Sequence, residues 1–557
     1  MMGIYSLCTV VIWLLLVCLS STSFGDASNE KLDYLAKALH DYPSNDGLKV
    51  WVHSFASRCR SISKVHTLGK SVQGRPIYAI EISDNPGTLE AEPNVKMVGN
   101  IHGDEPLGRV FLPALAEWLC REYKVKDPDA IRIVDDMHLW LVPSLNPDGF
   151  ALRMRENANG IDLNRDFPDP ILNPSMKPSG KEQPETKAIM KWINPPSTAL
   201  TKPTANSPSR RFIASLAMHE GALVANYPWD GAVTGMKQYN GTADDATYRF
   251  LASYYATKHT KMADDNNPEF PNAGGITNGA HWYSVYGGMQ DYNYLIGRCF
   301  ELTLELSNNK YPPAGTLTNL WKDNFEALTQ WPIQAAFGGL RGRVYREMSA
   351  RKIIGGRGRK PVSGATIELA IPASKFEKEE EKGVGGRGKK RQGGNTLYGS
   401  PLVAKTYGIY GDFYRPLAPG RYKVRVSKRG FTPQITTITV PDNGEGLVKN
   451  FYLRSDGILS SWFYSTTSSS KDDDDDDDDD DGFSVLNGDD SDDMDDYDIG
   501  AMNGEVSMPF NSPLPRSAVL LLLFSFLGGF WLVKGRLRRS YGLLLRGNGG
   551  GGRDMDV

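Results

Sequence analysis

Between Glu30 and Phe337 the chain alternates short apolar runs with longer segments of helical period, and this alternation restricts its possible folds more than any other feature. Ile77–Ile82, Val95–Ile101, His138–Val142, Phe212–Met218 and Cys299–Leu306 are predicted strands. Leu32–His40, Leu107–Tyr123, Thr186–Ile193, Asp245–Met262 and Leu317–Ala336 are predicted helices. Strands interleaved with helices imply an α/β domain with a mixed central sheet flanked by helices, and such sheets bind ligands just beyond their strand ends. Two long loops, Pro168–Gln183 and Pro195–Ser209, interrupt the alternation. Loops of that length generally build a site or move.

After Gly338 the pattern changes. Arg341–Tyr345, Ala365–Ala370, Gly420–Ser427, Gln434–Val440 and Gly446–Leu453 are short β-branched or aromatic runs bounded by Gly and Pro, so residues 338–455 read as a small all-β sandwich. A basic insert, Lys375–Asn395, holds too little apolar surface to order itself. Residues 456–516 form a linker with an unbroken Asp run, Asp472–Asp481, which self-repulsion keeps extended. It reads as a spacer rather than a calcium site, since no calcium-loop spacing is present; the basic insert is its candidate partner within the chain. With 557 residues, more than one core is expected. A net charge of −3 gives no reason to expect nucleic acid as a partner.

Two further apolar runs lie near the ends. Thr9–Leu19, followed by small and polar residues, reads as the core of a signal peptide over residues 1–25; an uncleaved anchor is the alternative, because no Lys or Arg precedes it. Ser517–Val533 reads as one transmembrane helix of about 25 Å at ~1.5 Å per residue. Lys534, Arg536, Arg538 and Arg539 follow at once, which makes residues 534–557 a cytoplasmic tail. The expected protein is therefore single-pass type I, with its body lumenal or extracellular in the Golgi, endosome or plasma membrane. Asn240-Gly241-Thr242 is then a glycosylation sequon. Cys8 and Cys18 fall in the first apolar run, leaving Cys59, Cys120 and Cys299 for at most one bridge, with the pairing open.

The chemistry concentrates in a few segments. In N-I-H-G-D-E-P-L-G-R, His102 and Glu105 stand three residues apart between a strand and a helix, so both side chains can converge on one ion. A catalytic zinc takes three protein ligands and keeps a fourth position open. His219 ends another apolar run and is the candidate third ligand; His66, His138, His259 and His281 lack that placement. The segment Arg153–Asp166 is rich in cations and amides suited to gripping a carboxylate. Glu301 and Glu305 alternate with Thr303 in an apolar strand, where an acid is expensive unless paired or functional, and periodicity does not choose between them.

These segments, with V-P-S-L-N-P-D-G-F, N-G-I-D-L-N-R-D-F-P-D and N-G-A-H-W-Y-S-V-Y-G-G-M-Q-D-Y-N-Y-L, resemble in order the zinc metallocarboxypeptidases. The match is to the regulatory subgroup of carboxypeptidases D, E, M and N, over about Glu30 to Leu453, and the layout is most similar to plant carboxypeptidase D-type proteins. The resemblance implies one Zn2+ held by His102, Glu105 and His219. It implies Glu305 as the general base and Arg155 as the residue polarising the scissile carbonyl. It implies Asn164 and Arg165 as the clamp on a terminal carboxylate, Tyr283 as a tyrosine closing over substrate, and Asp230 and Gln290 as a pocket for terminal Arg or Lys. It also implies that the β-sandwich is transthyretin-like. The larger insert and the lack of a Cys soon after Glu305 depart from that pattern, and the latter leaves Cys299 as a candidate free thiol. The expected activity is release of a C-terminal basic residue from peptides and proteins, in the maturation of secreted precursors. The rivals are a zinc amidohydrolase acting on acylated amino acids and a catalytically silent receptor.

Overall fold

The computed structural model describes residues 40–88, 90–194, 212–267, 269–347, 359–370, 404–406 and 410–455. The predicted signal peptide, loop Pro195–Ser209, basic insert, acidic linker, membrane span and tail lie outside them, as does all but the last residue of helix Leu32–His40. No helix among the described residues is long and apolar enough to cross a membrane.

Eight strands form one sheet: β1 (Ser63–Lys70), β2 (Pro76–Ile82), β3 (Asn94–Gly99), β4 (His138–Val142), β5 (Phe212–His219), β6 (Ala222–Tyr227), β7 (Ile276–Asn278) and β8 (Phe300–Ser307). Their spatial order is β1-β2-β4-β3-β5-β8-β6-β7. The central four, β4-β3-β5-β8, run parallel, while β2 pairs antiparallel with β4 and β6 antiparallel with β8. The sheet is mixed, as expected. The longer helices are α1 (Asn45–Arg58), α2 (Leu107–Lys124), α3 (Pro128–Asp136), α4 (Pro184–Ile193), α5 (Asp245–Lys258) and α6 (Leu317–Phe337).

Strand alternation divides the core in two. Val95, Met97, Leu302, Leu304 and Leu306 pack on one face with residues of α1, α2, α3, α5 and α6. Val98 and Ala217 pack on the other with Ile189, Met190, Trp192 and Ile193 of α4. Cys59, at the end of α1, is bridged to Cys120 in α2, and Cys299 is a buried free thiol. The bridge fastens two helices on the same face of the sheet.

The strands after α6 are β9 (Leu340–Arg346), β10 (Thr366–Ala370), β11 (Ala404–Lys405), β12 (Asp412–Arg415), β13 (Gly420–Ser427), β14 (Gln434–Val440), β15 (Leu447–Val448) and β16 (Phe451–Leu453). One sheet runs β11-β10-β13-β14 and the other β12-β9-β15, with β16 also paired to β9. Between them Val344, Ile367, Phe413, Val424, Val426, Ile438 and Phe451 make a separate core. The single strand expected over Gly446–Leu453 is two short ones. This all-β body meets the α/β body through polar anchors: Arg415 on Asp244 (2.5 Å, both almost fully buried), Tyr414 Oη on the Ala91 carbonyl (2.7 Å), and Arg132 on Glu445 (3.0 Å).

Candidate active site

The parallel strands end side by side, and their register sets the site. Gly99 of β3 lies opposite Met218 of β5, and His219 opposite Glu305 of β8. Beyond β3 the backbone turns through Asn100 in a left-handed conformation (φ 58°). Its amide donates to the His102 carbonyl (2.8 Å), while its side-chain oxygen accepts from Ser144 Oγ (2.8 Å). Gly103 is required there: any Cβ would overlap the backbone of Gly149, Phe150 and Met154. Behind the turn, Glu220 accepts from the backbone N–H of Leu107 at the start of α2 (2.5 Å), tying the end of β5 to that helix.

This scaffold brings His102, Glu105 and His219 together. Nδ1 of His102 and Nδ1 of His219 lie 3.0 and 2.8 Å from Glu105 Oε2, and 3.2 Å from each other. All three side chains are buried. Separations of this size between donor atoms fit one ion with bonds near ~2 Å. Nε2 of His102 is held by Asp162 Oδ1 (3.0 Å), whose other oxygen accepts from Arg155 Nε (2.9 Å). Burial pushes the Asp162 carboxyl up, but His102, Arg155 and Arg165 outweigh it and hold it well below the usual carboxylate range. A carboxylate behind a ligand histidine fixes the ring and raises its basicity.

Glu301 and Glu305 are now separable. Glu301 Oε2 receives Lys96 Nζ (2.9 Å), Ser215 Oγ (2.6 Å) and Asn293 Nδ2 (2.8 Å), all buried, so it is committed to structure. Glu305 sits four residues nearer the strand end, and its Oε2 is buried with no hydrogen-bond partner among the described residues. Burial first, then the charge of Glu105, push its carboxyl well above the usual range.

A cavity of about 160 Å3 joins these groups and is also lined by Arg155, Asn164, Arg165, Asp230, Tyr283 and Lys310. Arg155 Nη1 reaches Glu105 Oε1 (3.3 Å). Asn164 Oδ1 is occupied by the Met289 N–H (2.9 Å), and Arg165 is partly exposed, with Nη1 on the Asn164 carbonyl (2.9 Å). Tyr283 is 46% exposed, and half-open placement of a large aromatic leaves it room to move. Asp230 Oδ1 accepts from Asn226 and Gln290 (both 2.9 Å). Gln290 does not line the cavity; its Oε1 accepts from the Thr303 N–H (2.8 Å), so it braces Asp230 from behind. Gly279 closes the floor, where a Cβ would collide with Asp230. Asn240 lies away from the cavity, its side-chain amide donating to the Gly231 carbonyl (2.7 Å).

The sequence reading left Asp162 and Lys310 without roles. Asp162 stands in the N-G-I-D-L-N-R-D segment already singled out, and a carboxylate among so many cations was the available signal. Lys310 Nζ reaches Glu105 Oε1 (2.7 Å) from the loop after β8, and nothing in its local sequence marks it.

Three buried, convergent imidazole and carboxylate donors beside an unpaired acid and a guanidinium define a metal-dependent hydrolase site. The donor set fits zinc. The zinc carboxypeptidase family profile matches residues 48–327. Carboxypeptidase SOL1 of Arabidopsis thaliana is 41% identical over 403 residues, covering 72% of this chain and 70% of that protein. The catalytic chain of rat carboxypeptidase N is 34% identical over 439 residues, covering 72% of this chain and 84% of that one. Human carboxypeptidase D is 34% identical over 433 residues, which are 75% of this chain but only 27% of that longer protein. The chain belongs to the zinc carboxypeptidase family and is a zinc metallocarboxypeptidase.

Proposed function

We propose that this enzyme releases a C-terminal Arg or Lys from peptides and proteins. The observation that carries the reading is Asp230, an acid 5% exposed in the same cavity as the metal ligands. A buried carboxylate stabilises a guanidinium or ammonium group and disfavours neutral side chains. The resemblance to carboxypeptidases D and N points the same way.

In this reading His102, Glu105 and His219 hold zinc, which when bound supplies Lewis-acid polarisation and an acidified water. Glu305 takes the proton of the attacking water and returns it to the departing amine. Its raised proton affinity suits that exchange, because a base works best with a pKa near the working pH. Arg155 donates to the oxyanion that develops as the last peptide carbonyl is attacked. Asn164 and Arg165 take the terminal carboxylate, so internal bonds fail to register and cleavage stays at the end of the chain. Tyr283 closes the mouth. Asp162 keeps His102 and Arg155 in position.

The finer organisation is proposed with it: a transthyretin-like sandwich over residues 338–455, a signal peptide at 1–25, one span at 517–533 and a cytoplasmic tail at 534–557. The catalytic body then lies on the lumenal or extracellular side of the secretory or endosomal membranes, and Asn240 carries a glycan. Peptides ending in Arg, Lys or a neutral residue, assayed with and without chelator, test the activity; cleavage indifferent to the terminal residue would reject the specificity. Glycosidase-sensitive mass and protease protection in sealed vesicles test the topology, and an unprotected body would reject it.

A further inference from the structure

A second cluster of metal-type donors lies at the opposite end of the parallel strands. Glu90 and Glu92 precede β3, His138 opens β4, and one donor atom from each falls within 4.8 Å of the others. The histidine is oriented for a ligand. It is 4% exposed, and its Nδ1 lies 2.9 Å from Glu81 Oε1, while Glu81 Oε2 holds His66 Nε2 at 2.8 Å. That arrangement turns Nε2 of His138 toward Glu92 Oε2 at 3.7 Å. The gap is too long for a hydrogen bond but suits two donors sharing one ion with bonds near ~2.0–2.2 Å. The third donor is also poised: Glu90 Oε2 is buried and has no hydrogen-bond partner among the described residues. Glu81 behind His138 repeats the relation of Asp162 to His102, a carboxylate that fixes the ring of a ligand.

We propose that Glu90, Glu92 and His138 bind a second zinc ion, structural in role and separate from the catalytic one. One imidazole nitrogen with two carboxylates selects a transition-metal ion such as Zn2+ over Ca2+, which prefers an all-oxygen shell of six to eight ligands. The ion has a mechanical consequence. Ala91, between the two glutamates, offers the carbonyl that receives Tyr414 Oη of β12 (2.7 Å). Zinc there locks the segment on which the β-sandwich rests, so metal binding and docking of the two bodies reinforce each other.

The test uses the full chain, stripped with chelator and dialysed to equilibrium against Zn2+ alone, with bound metal counted by mass spectrometry. Two zinc ions per chain are expected, falling to one in Glu92→Gln and, independently, in Glu90→Gln; the ion that remains at His102, Glu105 and His219 reports an intact fold. Adding His219→Ala to Glu92→Gln should remove that ion as well. Wild-type protein should also gain thermal stability over the zinc range that fills the second site, and Glu92→Gln should not. One ion per chain in the wild type, or two in both glutamate variants, overturns the proposal. So does filling of the cluster by Ca2+ in preference to Zn2+, while one ion with a histidine–carboxylate ion pair at His138 would identify the cluster as an electrostatic clasp.

Discussion

Replacing Asp230 by Asn keeps the volume of the pocket and removes its charge. Asn can still accept from Asn226 and Gln290 through its oxygen, so the two hydrogen bonds at 2.9 Å survive and the change isolates electrostatics. A substrate cation about 4 Å from the carboxylate gains roughly 4 kcal/mol at an effective dielectric near 20. At about 1.4 kcal/mol per tenfold, that is on the order of a thousandfold in discrimination, and a hundredfold after the cation's own desolvation is subtracted. The assay is kcat/KM for matched peptides ending in Arg and in Ala. Their ratio should fall by ~10²–10³ in the variant, through loss on the Arg peptide, with zinc content unchanged. Burial pushes the Asp230 carboxyl up to about 6, so the empty pocket acquires its charge only as pH rises through that value. A bound cation lowers it, since opposite charge favours the ionised acid. The wild-type ratio should therefore decline as pH falls below about 6, while the Asn variant stays flat. A ratio that changes less than tenfold, or a variant that keeps the wild-type pH profile, would refute the electrostatic origin of the preference.

Glu305→Gln should lower kcat by ~10²–10⁴ while zinc stays near stoichiometric by metal analysis, and retained turnover would take the base role from Glu305. Replacing Cys59 and Cys120 by Ser opens a loop with a sequence separation of 61, worth ~4 kcal/mol by chain entropy; urea unfolding should reveal it, and a loss under about 1 kcal/mol would mean the bridge is incidental. His259 is 4% exposed, its Nδ1 accepts from the Lys261 and Met262 N–H groups, and burial pulls its pKa down from 6.5 to about 4. The unfolded chain therefore binds a proton that the native state refuses, so stability drops as pH falls from 6.5 toward about 4, by at most ~3 kcal/mol. Melting temperature against pH should lose that component in His259→Gln, and parallel curves would dismiss it.

What the sequence made legible tracks how strongly each segment is forced. Strands buried on both faces, such as His138–Val142 and Phe212–His219, are near-continuous apolar runs and were found within a residue or two. The edge strand Ser63–Lys70 was missed, because half-exposed S-K-V-H-T-L-G-K carries no sustained apolar run. Helix Pro128–Asp136 was missed although Asp127 caps it and Pro stands at its first turn, signals outweighed by its short length. At the site, residues set in motifs at strand ends were found, whereas Lys310 and the Glu90–Glu92–His138 cluster depend on contacts far apart in sequence. His138 was set aside because it opens an apolar run instead of ending one before an acidic or glycine turn; Glu90 and Glu92 come from the segment before the neighbouring strand.

The separation of Glu301 from Glu305 explains why the motif works as it does. Both acids lie on one face of β8, and a strand of that kind offers two chemically identical carboxylates about 13 Å apart along the strand at ~3.3 Å per residue. Position along the strand decides their fate. Glu301 falls deep enough to meet Lys96 and Ser215, projecting from the adjacent parallel strands, and is neutralised there. Glu305 falls at the register of His219, where β5 ends and no cation from a strand lies opposite, so the sheet leaves it charged only by what the cavity supplies. A one-residue slip of β8 would turn both acids to the opposite face, into the Leu302–Leu306 core, and a four-residue slip would bring Glu305 to Lys96. The acid left unpaired in the cavity is thus selected by sheet register, and the buried Lys96–Glu301 pair forms at the register that sets Glu305 beside His219.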